Sequence, residues 1–391
     1  MKCTSRGILI FSVFAASVAL AQTSTPSIKV DCNNGQSLNS TISKLDRHKP
    51  VTVLVNGMCT EYVQVINFDS LTLKGLPGAM LMQPTTGAGS VLNSLLYIEA
   101  SRSITVDGLT IQADTVTVPA IGIGHGSSDI RLRNLNVQGG TEGITVFENS
   151  QVSIARVTAQ DPGYTTLGVY DSSDVHVERS VFKHSTGALW HVGMDVGASH
   201  VTVYGTTISN MQVGISAHQG SIIDVLTFNT YFANSGSSDV TIDNAAGTNY
   251  NGVTIDTGGS LNVITRLVIN KPGQSWGGTT GGVLISDGAA MTTSNGNLMI
   301  TGSNGQGVVV LNDSHATISG ATVTGGGHGG LVVVNQSSID VSGGNTLTLI
   351  GGNSPDLFCD SGSMITGGVN LAGVPTSQCA NVLSGETVAL P

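Results

Sequence analysis

A short phrase recurs along this chain and constrains its fold more than any other feature. It runs glycine, apolar, any residue, apolar, then two or three polar residues, a serine or glycine, and apolar-x-apolar again. It reads GITVFENSQVSI over Gly143–Ile154, GVYDSSDVHV over Gly168–Val177 and GVTIDTGGSLNV over Gly252–Val263. It returns as GVVVLNDSHATI over Gly307–Ile318 and GLVVVNQSSIDV over Gly330–Val341. The small residue at the turn falls at Ser128, Ser150, Ser173, Ser199, Gly220, Gly259, Gly288, Ser314 and Ser337. The interval is mostly about 21 to 29 residues, with one longer step, and such a period marks a solenoid. Alternation on both sides of a polar turn marks two strands per repeat, so each repeat is one coil of a β-helix. A lone coil buries too little to fold, and stability comes from stacking on neighbours.

Alternation also assigns faces. Ile130, Leu132, Val175, Val177, Val201 and Val203 point into the core, leaving Arg131, His176 and Thr202 outside. The stretch 233–251 departs from the period. Its Ser238-Asp239-Val240-Thr241-Ile242 repeats the coil phrase, as either an extra short coil or part of a long loop.

The two ends read differently from the middle. Lys2 and Arg6, the apolar stretch Ile8–Leu20 and Ala19-Leu20-Ala21 form the pattern of a secretory signal over residues 1–21. The apolar run is short for a membrane span. Mature protein is expected to begin near Gln22, losing Cys3 with the signal. Residues 22–97 are expected to hold a cap and the first strands. There Leu38, Ile42 and Leu45 recur at helical spacing, so one amphipathic helix within 36–46 would plug the first coil. Strands are expected at 51–55, 63–65 and 71–73, followed by a Gly/Pro/Thr-rich connection over 76–89. Residues 98–391 carry the regular coils. About a dozen coils rising ~4.8 Å each make a rod roughly 60 Å long, with no linker to divide it.

Four cysteines remain after the signal, in two local pairs: Cys32 with Cys59, and Cys359 with Cys379. An even count in an exported chain points to two disulfides, one at each end of the rod. No Cys-x-x-Cys and no clustered histidines accompany them, so a metal site is the weaker reading. No cofactor is expected; a calcium ion has no support. The formal charge of −10 becomes about −12 once Lys2 and Arg6 are removed. Such a surface suits nucleic acid poorly, because phosphates demand clustered Lys and Arg.

With these features the chain resembles the right-handed parallel β-helix proteins of the pectate-lyase-like superfamily. The resemblance spans the mature chain from cap helix to final cysteine pair. It implies an all-β, right-handed parallel β-helix with a short N-terminal capping helix. That superfamily includes polysaccharide lyases, glycoside hydrolases, esterases, epimerases, phage tailspikes and adhesins, so fold does not assign activity. Signatures of its best-known enzymes are absent. Gly-His-Gly occurs at Gly124-His125-Gly126 and Gly327-His328-Gly329, but the coils before His328 offer Asn251, Gly281 and Gln306 where a polygalacturonase has aspartates. Arg-Ile-Lys, the pectate-lyase arginine motif and Asp-Pro-His-Asp do not appear. Gly325–Val332 is similar to a calcium-binding glycine nonapeptide but lacks its Asp.

Active sites in such families lie on the outer face of one sheet, beside the Gly-apolar-x-apolar strand. Aligning those strands on Ile121, Ile144, Leu167, Val192 and Val213 as first inward residues places Gly122, Thr145, Gly168, Gly193 and Gly214 outside between them. The next outward residues are then Gly124, Phe147, Tyr170, Asp195 and Ser216; those before the pair are Ala120, Gly143, Thr166, His191 and Gln212. The expected site is a glycine-floored strip where Phe147, Tyr170, His191 and Trp190 contact a polysaccharide, with Tyr164 nearby. Glycines admit a ligand to the backbone and aromatic faces stack on sugar rings. The competing reading is that the glycines only relieve crowding.

The catalytic candidates are Glu148, Asp171 and Asp195 on three successive coils, nominally ~5 Å apart. Neighbouring carboxylates raise one another's pKa, which suits acid–base work, and that spacing would fit a retaining glycosidase. The same column continues as Asp256, Asp287, Asn312 and Asn335, however, and reads equally as turn chemistry. His191 and Asp195 lie roughly 13 Å apart along an extended strand and make no dyad. Arg156 and Arg179 occupy equivalent places one coil apart. In the C-terminal half the outward column becomes Leu284, Val309 and Val332, followed by Leu311 and Val334. Such an apolar stripe implies a cover, either the tail, a loop or a second molecule through self-association. Two functions are expected from this pattern: a secreted protein that binds or processes extracellular polysaccharide on a lateral strip, or a non-catalytic adhesive rod.

Overall fold

A computed structural model of the chain describes residues 25–85, 94–186, 191–226, 239–243, 251–272, 281–294, 296–303, 305–325, 329–341, 347–350, 357–367, 369–372, 377–379 and 382–383. The expected signal, residues 1–21, lies outside them. Three parallel sheets run the length of the molecule, with fifteen strands in one and thirteen in each of the others. Each strand pairs with the strand three places along the chain, so the polypeptide visits the sheets in turn. Glu142–Val146 belongs to the front sheet, Gln151–Ala155 to the second and Thr158–Gln160 to the third, and Thr165–Val169 returns to the front. Every pairing is parallel. The chain is a parallel β-helix with very little helix.

The core is a set of stacked columns. Ile144, Leu167, Met194, Ile215, Val253, Val283, Val308 and Leu331 follow one another in register up the inside of the front sheet, each fully buried. In several coils, though not at Gly168, the glycine before this column sits at the corner between front and third sheets. A Cβ on Gly193 would lie 2.3 Å from the Ile208 Cγ2 methyl, and one on Gly252 2.4 Å from Ile269 Cγ2. On Gly307 it would lie 2.2 Å from Val323 Cγ1. The third-sheet methyls fill the space a side chain would need, so glycine is required there by packing and not by backbone angle.

The small residue at the turn has its own cause. Buried serines stack from coil to coil, and in several coils the hydroxyl accepts the backbone N–H of the serine one coil earlier. Ser150 N donates to Ser173 Oγ at 3.2 Å, Ser173 N to Ser199 Oγ at 3.1 Å and Ser337 N to Ser363 Oγ at 3.3 Å. A buried N–H without a partner costs about as much as a lost hydrogen bond, and these hydroxyls supply the partner in the coils named. Ser127 and not Ser128 holds this place, since its hydroxyl accepts from Ser101 N at 3.3 Å.

The N-terminal end is closed as the apolar spacing predicts. Helix Leu38–Ser43 buries Leu38 and Ile42, and Ser37 caps it by accepting from Ser40 N. Glu61 holds the same helix end, taking Leu38 N at 2.6 Å, Asn39 N at 3.2 Å and the Ser37 hydroxyl at 2.6 Å. An anion is favoured there by the exposed N–H groups. Asn39 in turn accepts from Gln64 N at 3.0 Å, satisfying the first front strand, Val63–Ile66. Cys32 and Cys59 form a disulfide beside it, with Cα atoms 5.1 Å apart. At the other end Cys359 is disulfide-bonded, and Cys379 is its register partner on the next strand. The connection read at 76–89 contains a further strand, Met80–Met82 in the third sheet.

The long step in the repeat is resolved by register. Val240–Asp243 pairs with Thr207–Ser209 on one side and Leu267–Asn270 on the other. It is therefore the third-sheet strand of an ordinary coil and not an extra coil.

Candidate functional site

Register on the outer face of the front sheet differs from the sequence alignment at two coils. Ile121, Ile144 and Leu167 align as expected, but Leu167 pairs with Met194 and Met194 with Ile215. Val192 and Val213 therefore precede the first inward residue by two places. The outward column becomes Tyr97, Gly122, Thr145, Gly168, Asp195 and Ser216. Gly193 and Gly214 leave the strip and join the corner column. Beyond the next inward residue come Gly124, Phe147, Tyr170, Gly197 and His218.

Aromatic rings lie directly on the glycines of this face. A Cβ on Gly124 would meet the Phe147 ring at 2.4 Å, one on Gly168 the Tyr170 ring at 2.6 Å and one on Gly197 the His218 ring at 2.6 Å. Glycine lets each neighbouring ring approach the sheet closely. The floor is thus occupied by protein side chains, as the crowding reading holds, and the rings themselves form the outer surface. Phe147 also stacks on buried Tyr97, with centroids 6.5 Å apart and planes at 17°, and meets His125 edge-on at 6.0 Å.

The register shift places Asp195 in the middle of this face, one coil from Tyr170. Tyr170 Oη donates to Asp195 Oδ2 at 3.0 Å, and His218 Nε2 stands 3.2 Å from Asp195 Oδ1. On the other side of Tyr170, Glu142 Oε2 accepts a short hydrogen bond from Thr145 Oγ1. Burial pushes the Glu142 carboxyl up from the ordinary glutamate value; the Thr145 hydrogen bond opposes this and the Asp195 charge adds to it. Tyr170 is pushed far above the usual phenol range, first by burial, then by the charges of Glu142 and Asp195, which also accepts its proton. Its hydroxyl stays protonated and acts as a donor. Glu142, Tyr170, Asp195 and His218 thus form one electrostatically coupled group spanning four coils.

Glu142→Gln tests the raised carboxyl through pH. A carboxyl with a raised folded-state pKa binds its proton more tightly in the native protein, so native stability falls as pH rises through that pKa. The amide does not ionise. Its stability relative to the parent is expected to grow as pH rises from the acid range in urea titrations, and a pH-independent difference would show that the native Glu142 carboxyl is not raised.

The other sequence candidates lie elsewhere. Glu148 and Asp171 belong to a turn column with positive φ, 55° and 57°, which continues through Asp287, Asn312 and Asn335. In that column Thr257 stands where Asp256 was expected. The side chains hydrogen-bond along it: Asn312 Nδ2 donates to Asp287 Oδ1 at 2.9 Å, and Asn335 Nδ2 to Asn312 Oδ1 at 2.8 Å. Glu148 pairs with His125 Nδ1, and Asp171 is exposed. The proposed three-coil row of carboxylates is therefore broken, because Asp195 is a strand residue and not a turn residue. His191 lines a separate open depression of about 330 Å³ at the corner with the third sheet, with Thr115, Val116, Tyr164 and His184. The His184 and His191 rings are 4.3 Å apart there. Thr166 and Gln212 are buried, and Trp190 lies outside the described residues. Arg156 and Arg179 are one coil apart in the second turn column, with Arg156 Nε donating to Asn134 at 3.0 Å. Glu142 and His218 went unread in the sequence. The available signal was their distance along the strand from Thr145 and Ser216, which only the correct register reveals.

Farther along, Leu284, Val309 and Val332 pair in the expected outward column, and Phe358, unread in the sequence, continues it. Among the described residues, no helix is long and apolar enough to cross a membrane. The Cys32–Cys59 disulfide is compatible with secretion.

The three sheets and their register define a parallel β-helix. No family model matches the chain, and no curated protein matches it. A solved structure similar to it is the catalytic domain of a GH87 alpha-1,3-glucanase in complex with nigerose. It is 12% identical over 87% of this chain and 69% of that one, with a TM-score of 0.33. A variant of such a domain in complex with tetrasaccharides is 11% identical over the same shares, with a TM-score of 0.31. Likeness at this level assigns no function.

Proposed function

We propose that the chain binds polysaccharide along the outer face of the front sheet, across the coils that carry Phe147, Tyr170, Asp195 and His218. The observation that carries this is the arrangement around Tyr170: an aromatic ring close over Gly168, with Glu142 and Asp195 near it and His218 beside Asp195 on the outer face of the sheet. A small ligand is usually enclosed by its pocket, whereas an unwalled face that runs across coils suits an extended polymer. Sugar rings offer an apolar face to aromatic rings and hydroxyl donors to carboxylates.

Catalysis is a second reading, favoured by one contrast. Glu142 holds its proton more tightly than an ordinary glutamate, while Asp195 accepts from Tyr170 and faces His218. Carboxyls in unlike environments are what an acid paired with a charged partner requires.

Tyr170→Ala is the direct test. Polysaccharide binding is expected to fall at least about tenfold while His191→Ala, in the separate depression, leaves it unchanged. Equal losses in both, or none in either, would remove the site from this face. New reducing ends or unsaturated uronates in the same mixtures would establish the catalytic reading.

A further inference from the structure

The charge on the front face narrows the polymer, and this step rests on the binding reading above. The described strands of the front sheet, from Val63–Ile66 to Ser377–Cys379, contain no lysine or arginine. The same strands and the turn after them carry Glu99, Glu142, Glu148, Asp171, Asp195 and Asp256. The basic strand residues lie on the other sheets: Lys29, Lys74, Arg131 and Arg133 on the second and Lys183 on the third. Arg102, in the turn that follows Glu99, is engaged by Asp69 at 2.9 Å.

We propose that the polysaccharide bound here is uncharged, a neutral homo- or heteroglycan recognised through its hydroxyls and ring faces. A uronate chain would bring further carboxylates beside Asp195 and Glu142 with no guanidinium or ammonium to receive them. Desolvating an unpaired anion next to like charges is among the costliest events at a binding surface. The formal charge of −10 opposes its approach as well. An aminosugar polymer is attracted at long range but finds both Asp195 oxygens engaged, Oδ2 by Tyr170 and Oδ1 by His218, and Glu142 held by Thr145. An ammonium group must shed its hydration to share the remaining lone pairs with donors already in place, a desolvation cost that a neutral sugar hydroxyl does not carry.

The test is affinity electrophoresis of the full chain through gels holding one polymer each: neutral α-glucan, β-glucan, mannan or galactan, polygalacturonate, or chitosan. Low and physiological salt separate specific binding from charge attraction. Tyr170→Ala and Asp195→Asn serve as site variants, each checked for an unchanged melting midpoint. The expected result is retardation by at least one neutral polymer that both variants lose, with polygalacturonate at least tenfold weaker. Variant-sensitive retardation by polygalacturonate or chitosan, equal to or above that by every neutral polymer, overturns the neutral assignment and leaves the binding site standing. Retardation by none of the polymers, or retardation that ignores both variants, overturns the binding reading and the neutral assignment with it.

Discussion

Gly214→Val is expected to destabilise the rod by about 3 kcal/mol or more, while Ser216→Val on the same strand changes stability little. Gly214 belongs to the corner column. A Cβ there would stand 2.6 Å from Ile242 Cγ2 and 2.6 Å from the Gly252 carbonyl oxygen of the next coil. Neither obstacle can step aside. Ile242 is fully buried among core residues, and the Gly252 oxygen accepts from Ile215 N at 3.1 Å, part of the ladder that joins the two coils. Relieving the clash means lengthening that bond, and coils are held only by their neighbours. Ser216 points outward and is only half-buried, so valine gains cross-strand contact without displacing the core. Denaturant midpoints of the two variants provide the comparison. A Gly214→Val midpoint equal to the parent's would show that the corner glycines are dispensable.

Asp195→Ala is expected to weaken polysaccharide binding by about 2 kcal/mol, roughly thirtyfold in Kd, with a much smaller effect on folding. Asp195 accepts from Tyr170 Oη and faces His218, so its loss leaves two neighbours without their shared acceptor. Asp195 and His218 are each about a quarter exposed at the side chain. Water can therefore replace the missing oxygen in the free protein, and the penalty for folding is slight. Once a polymer covers the face, that water is excluded and the orphaned donors count in full. Binding isotherms beside melting curves separate the two effects. Unchanged affinity would reduce the cluster to a structural staple between coils.

Most of the architecture was legible because inward residues repeat with a strict two-residue period. Val175, Val177, Val201 and Val203 are fully buried where alternation placed them, and Leu38 and Ile42 cap the first coil where helical spacing placed them. The site was legible only in part. Phe147 and Tyr170 stand in the expected column, yet the alignment faltered at His191-Val192-Gly193-Met194, where Val192 and Met194 are equally apolar. Either can be the first inward residue by alternation, and the choice moves Asp195 by two places. Ile208 decides it, because its methyl occupies the space beside Gly193 and forces that glycine into the corner.

The chain's own periodicity determined that it winds into stacked parallel coils, since a two-residue alternation repeated at one interval has no other way to bury every apolar face. Tertiary structure alone decided which polar residues meet. Glu142, Tyr170, Asp195 and His218 are separated by 28, 25 and 23 residues, and a shift of two places in one coil would have parted them without exposing a single core side chain. Burial is indifferent to a two-residue slip along a strand; side-chain chemistry on the outer face is not.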